Sequence, residues 1–187
     1  GKTRTAIALV DVLQRAGWVK RALFLADRVS LVNQACNAFK AHLPESSPVN
    51  LVTEKDTEGR VYVCTYPTML GMIDETKAGQ GGTEARFGVG HFDLVIIDEL
   101  SMLDVVLSHH LTKAIQPPTR LVGIGDPEQL PSVAAGNVLG DLIASGGVPL
   151  WRLTQIYRQD ERSLIVENAH RVLGGELPRL PEPDDPP

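Results

Sequence analysis

The chain has 187 residues, 43% of them hydrophobic and 22% charged, with a net charge of −5. That suits one core, and one domain with a short tail, of ordinary globular composition. It excludes an apolar run long enough to span a bilayer, a disulfide framework built on two cysteines, and nucleic-acid binding through bulk positive charge.

The first apolar positions, Ala6, Ile7, Leu9, Val10 and Leu13, recur at helical spacing, and Gly17 is placed to stop that helix. Asp11, Gln14 and Arg15 interrupt the stretch, so it does not read as a signal peptide, and a cytoplasmic location is expected. "RALFLA" (21–26) is a compact apolar run that suits a strand buried on both faces. Asp27 can cap the next helix, whose stripe is Leu31, Val32, Ala35, Ala38 and Phe39. "VNLVT" and "RVYVCT" read as two short strands, and "PTMLGMI" opens a short helix with Pro67 in its first turn. Cys36 and Cys64 fall in these apolar-patterned segments and are expected in the core.

Residues 77–90 are polar and Gly-rich and read as a mobile surface loop. "FDLVIID" (92–98) is the clearest strand. A helix should follow, with Leu103, Val106, Leu107 and Leu111 inward, ending before Pro117. "TRLVGIG" (119–125) reads as another buried strand, "NVLGDLIAS" as a helix stopped by Gly146, and "PLWRL" as a short strand. "DERSLIVENAHRVL" reads as a helix ending at Gly174 and Gly175, and the acidic, Pro-rich stretch 176–187 cannot build a core. Strands alternating with helices predict an α/β fold, a mostly parallel sheet with helices on both faces. Ligands in such sheets bind beyond the carboxyl ends of the strands.

The polar residues at those ends form a pattern. Gly1, Lys2 and Thr3 match the last three positions of a phosphate-binding loop, G-x-x-x-x-G-K-[ST]. In such a loop the lysine meets the β/γ-phosphates and the hydroxyl meets Mg²⁺. Asp98, where an apolar strand runs out, can hold that metal with Thr3, and Glu99 can orient and deprotonate the attacking water. Capping of the next helix is the other reading of Asp98. Gly125 and Asp126 end the following strand, and Gln129 in the turn can touch the γ-phosphate and the water; an ordinary Asp-Pro turn is the alternative. Arg158 can stabilise charge on the transferred phosphoryl group, or pair with Asp160 or Glu161 on the surface. The histidines lack ligand spacing, so Mg²⁺ with ATP is the one metal expected. Together, in this order, the four segments make Gly1-Lys2-Thr3 the end of a phosphate loop.

"DELSMLD", "LVGIGDPEQLPSVAAGNVLGDLI", "LTQIYRQ" and "SLIVENAHRVLGGELP" resemble RecD-like helicases of superfamily 1. "GKTRTAIALVDVL", "ALFLADRVSLVNQA" and "VYVCTYPTMLGMID", in residues 1 to about 98, resemble the motor of type I restriction enzymes and related superfamily 2 helicases. Both resemblances imply a RecA-like P-loop fold, and they meet at the end of the 92–98 strand. The RecD-like resemblance implies motif II at Asp98-Glu99, motif III around Gly125, Asp126 and Gln129, and motif IV at Arg158. The superfamily 2 pattern would instead continue as D-E-A-H and later carry S-A-T, where this chain has Leu100-Ser101 and "GDPEQ". The resemblances further imply ATP-driven movement on single-stranded DNA, touched by Asp27, Arg28, Thr65 and Thr68, with helix capping as the alternative for these. A motor domain over 1–175, cut inside its phosphate loop, and a linker over 176–187 are the expected organisation. The second RecA-like domain is missing from these residues, so the chain alone should bind nucleotide weakly and turn it over poorly. A restriction-enzyme motor and a non-enzymatic nucleotide-binding or interaction fragment are the other readings.

Overall fold

The computed structural model describes residues 2–54, 58–73, 87–88, 90–153 and 164–180. They form two compact units, Lys2–Val148 and a second from Pro149 onward.

The first unit begins with α1 (Lys2–Arg15), then β1 (Ala22–Ala26), α2 (Val29–His42), β2 (Pro48–Asn50), β3 (Val61–Thr65) and α3 (Tyr66–Ile73). It continues with β4 (Leu94–Ile97), a 3₁₀ turn at Leu100–Met102, α4 (Val105–Ala114), β5 (Arg120–Gly123) and α5 (Val138–Ser145). The five strands make one parallel sheet in the order β2-β3-β1-β4-β5. Side chains alternate along each strand, so β1, β3 and β4 feed two separate cores. Ala22, Phe24, Ala26, Val61, Val63, Leu94 and Ile96 pack with Ala6, Ile7 and Val10 of α1 and Val32, Ala35, Cys36 and Phe39 of α2. Leu23, Leu25, Tyr62, Cys64, Val95 and Ile97 meet Met69 of α3, Leu111 of α4 and Leu139 of α5 on the other face. This is the expected three-layer α/β arrangement, with both cysteines buried and unbridged. β1 lies between β3 and β4, so segments from either side of residue 98 share one sheet.

Gly17 and Gly146 stand just past α1 and α5 with φ of 72° and 61°, left-handed conformations that close a helix cheaply only without a Cβ. Several expectations are corrected. The strand in "VNLVT" ends at Asn50, because Asn50 Oδ1 and its carbonyl accept from the Val52 and Thr53 amides and turn the chain. β5 is not buried: among the described residues it has one neighbouring strand, and Leu121 is 47% exposed. Val106 faces solvent, and Leu103 enters the core ahead of α4 rather than within it. "PLWRL" forms no strand. Of the expected mobile loop, Phe87 is core, its ring against those of Tyr62 and Phe92. Asp27 caps nothing; it pairs with Arg28, which occupies the N-cap position of α2 without a side-chain cap bond.

In the second unit, α6 (Leu164–Leu173) is followed by residues tied back to it. The Asn168 side chain bonds the carbonyl and amide of Arg179 (2.8 and 2.6 Å), and Arg171 Nε donates to the Leu177 carbonyl (2.9 Å). Among the described residues, no helix is long and apolar enough to cross a membrane.

Candidate active site at the carboxyl rim of the sheet

The strand order puts the ends of β3, β1, β4 and β5 side by side. Thr65 and Tyr66 leave β3, Asp27 leaves β1, Asp98 and Glu99 leave β4, and Gly125 and Asp126 follow β5. α1 starts at Lys2 and brings its first turn to this rim, where Lys2 Nζ stands 3.8 Å from Glu99 Oε1. Both side chains are partly exposed, at 34% and 27%. A lysine at the start of a helix and two acids just after a strand, far apart in sequence, thus converge. Thr3 is the next residue of the same helical turn and is half-buried.

Asp98 is buried, at 8% exposure. Burial and the neighbouring Glu99 push its carboxyl above the usual carboxylate range, against the Glu99 amide and Lys2, which favour the charged form. Its Oδ1 accepts from the Glu99 amide at 3.2 Å, and no cation of the described residues lies within ion-pair distance. Asp98 caps no helix: the cap of α4 is Asp104, whose Oδ1 accepts from the Leu107 amide. A buried acid short of donors, at the rim where the helix start carrying Lys2 approaches Glu99, fits a bound divalent cation. Glu99 adopts φ 56° and ψ 49°, a left-handed conformation that a non-glycine residue holds at a cost of about 1 kcal/mol or more.

The remaining candidates are placed differently. Asp126 closes its own turn, with Oδ1 accepting from the Glu128 amide and Oδ2 from Gln129 Nε2 (3.0 Å). Gln129 is exposed, and no described contact joins it to Lys2 or Glu99. The Asp-Pro turn is therefore the geometry present. Gly125 has a packing reason: a Cβ there would lie 2.8 Å from Leu139 Cδ2 and 3.2 Å from the Ser101 nitrogen. Thr65 is buried and acts as a cap, its hydroxyl 2.8 Å from that of Thr68 and accepting from the Thr68 amide. Thr68 is half-buried, and Arg28 is exposed with Nε 3.1 Å from Asp27 Oδ2. Gly1 and Arg158 lie outside the described residues.

Two features escaped the sequence. Tyr66, buried at 4%, donates its hydroxyl to the Asp98 carbonyl at 2.6 Å. Its phenol is pushed far up by burial, with Asp27, Asp98 and Glu99 adding to the shift. Among the described residues, Ser101, two positions after Glu99, has a buried hydroxyl with no hydrogen-bond partner. A tyrosine between Thr65 and Pro67 gave a weak signal; nothing local marks a contact across 32 residues.

A family model described as "AAA domain" matches residues 1–180, running straight through the junction at Asp98. The chain is similar to the ATP-dependent RecD2 DNA helicase of Deinococcus radiodurans, 41% identical over 87 residues, which is 46% of this chain and 12% of that protein. It is similar to the RecBCD enzyme subunit RecD of Mycolicibacterium smegmatis, 47% identical over 55 residues (29% of this chain, 10% of that one). The same subunit of Haemophilus influenzae is 35% identical over 85 residues, 45% of this chain and 12% of that one. The matches thus span about a tenth of these relatives' length. They bear out the RecD-like resemblance; the restriction-enzyme resemblance of residues 1–98 rests on sequence alone.

Proposed function

We propose a function from one premise, that this chain belongs to the AAA domain family: it is the first, ATP-binding motor domain of a DNA helicase, coupling ATP hydrolysis to movement on single-stranded DNA. The observation that carries this is the approach of Lys2 to Glu99 beside the buried Asp98. The amides of the first turn of α1 and the Lys2 ammonium would receive the phosphates, since helix starts present free N–H groups and partial positive charge. Gly1 would add its backbone to that cradle. Thr3 and Asp98 would hold Mg²⁺, which supplies neutralisation of the phosphate charge. Glu99 would take the proton of the attacking water. Its pairing with Lys2 is loose and half-exposed, so a phosphate can replace it.

Asp126 and Gln129 would report on the γ-phosphate after their turn opens, with Gly125 giving the close approach beneath it. Arg158 would stabilise transferred charge. Arg28, Thr68 and the start of α3 would meet the strand's phosphates, with Thr65 holding that helix start in place. The relatives' names support this reading: a DNA helicase and the RecD subunit of an enzyme. A second RecA-like domain would complete the motor, and residues 1–175 and 176–187 would divide as domain and linker.

The test is ATP turnover by the full-length gene product with and without single-stranded DNA. Turnover should rise with the strand. Glu99→Gln should lower it at least about 100-fold, within the range for removing a general base, while nucleotide affinity stays within a few-fold. Full activity in Glu99→Gln would end this reading.

A further inference from the structure

The peptide between Asp98 and Glu99 is gripped on both sides. Its N–H donates to Asp98 Oδ1 at 3.2 Å, and its carbonyl accepts from the Tyr66 hydroxyl at 2.6 Å. The tilt of this peptide plane sets φ of Glu99, and so decides where the Glu99 carboxylate goes. On the far side, the Leu100 amide donates to the Ile124 carbonyl at 2.8 Å. Glu99 sits between these anchors in its left-handed conformation, a state that persists only where the surroundings impose it. A 3₁₀ turn alone imposes nothing of the kind, and Glu99 has no side-chain cap bond.

The reach of Tyr66 follows from the strand order. It is the first residue after β3, while Asp98 is the first residue after β4, with β1 in between. Two strand spacings, about 10 Å, separate the backbones. Among uncharged side chains only a long one with a polar tip can cross the end of β1. The ring lies in an apolar setting with Leu25, Met69, Leu70 and Leu103, so the hydroxyl has little competition from water. A buried phenol needs a partner, and this one is a carbonyl that the strand ladder does not use.

Tyr66 is also the first residue of α3. The turn it opens is capped by Thr65 and carries Thr68, two residues further on. A strand bound at that helix start would therefore act on the backbone that carries Tyr66.

We infer that Tyr66 is a positioning residue for Glu99, and that through it a nucleic-acid strand seated at the start of α3 controls hydrolysis at the rim. This rests on Glu99 being the water-activating acid. Tyr66 itself touches neither nucleotide nor water. Removing its hydroxyl frees the Asp98 main-chain carbonyl and lets Glu99 relax toward ordinary φ, which lowers the rate while the Lys2 and Thr3 side chains and the Asp98 carboxylate are left chemically unchanged.

In the full-length protein, Tyr66→Phe should cut the stimulation of ATP turnover by single-stranded DNA at least fivefold. KM for ATP and the affinity for an oligothymidylate should stay within twofold, and melting should stay within a few degrees. Placing 4-aminophenylalanine at 66, which restores an N–H donor at the same point, should return the stimulation to within threefold of the parent. A loss confined to KM, or equal behaviour of the Phe and aminophenylalanine chains, would overturn the inference. If Tyr66→Phe does not fold, hydrogen exchange on the unaltered protein decides: binding of the oligothymidylate must change protection at the Glu99 and Leu100 amides, and unchanged protection overturns it. Glu99→Gln separates the two layers of argument. If it keeps turnover, the reading of the site fails. If it loses turnover while Tyr66→Phe keeps full stimulation, only this inference fails.

Discussion

A carboxylate taken out of water needs donors or a cation to offset its lost hydration. Asp98 is 8% exposed, accepts from one backbone amide, and has Glu99 as its charged neighbour. Buried unpaired charge is among the few causes of large instability, and it recurs at sites that trade stability for activity. Asp98→Asn keeps the oxygen that accepts the Glu99 amide and removes both the buried charge and its repulsion with Glu99. In buffer free of nucleotide and divalent cation at neutral pH, it should raise stability by about 1 kcal/mol, or ~2–4 °C in Tm for a domain of this size. Calorimetry reads this directly. A lower Tm would show that Asp98 already has all the partners it needs, and would weaken the case for a metal there.

At the scale of elements, the sheet was legible where strands are buried on both faces. β1, β3 and β4 are unbroken apolar runs, and central parallel strands demand that. β5 looked the same, because an apolar run does not say whether its outer side is covered. Phe87 was hidden by its glycines, although one aromatic in a polar stretch is a hint of burial. Lys2, Asp98 and Glu99 were legible because a helix start and a strand end are local features. Tyr66 was not, since its partner is set by strand order. Nor was the packing role of Gly125, which lets the end of β5 approach the 3₁₀ turn behind the acid pair. Gly125→Ala would press a methyl against Leu139 Cδ2, Leu100 Cβ and the Ser101 backbone. The leucine tip can move, but the turn cannot without shifting Glu99. Urea unfolding should show a loss of about 1–3 kcal/mol, the usual range for overpacking. An unchanged midpoint would mean the turn gives way freely and does not hold Glu99 from that side.

At the scale of the molecule, the question is whether the two resemblances that meet at Asp98 describe one folding unit. The sheet answers through its neighbours: β1 pairs with β3 on one side and with β4 on the other, and β4 in turn pairs with β5. The core on the α1/α2 face is built chiefly from residues before 98. The opposite core is not. It needs Leu100, Leu103, Leu111 and Leu139 to cover Leu25, Val95, Ile97 and Met69. Cutting at 98 would leave that face bare and make β4, an apolar four-residue strand, the new edge, which is a template for aggregation. A chain of residues 1–98 should therefore show no cooperative melt, bind a dye specific for exposed apolar surface, and be degraded by trypsin under conditions where the whole chain yields large resistant pieces. A stable, protease-resistant 1–98 core would instead make the first half a folding unit of its own. The convergence of Lys2 with Glu99 would then depend on docking between two bodies rather than on the register of one sheet.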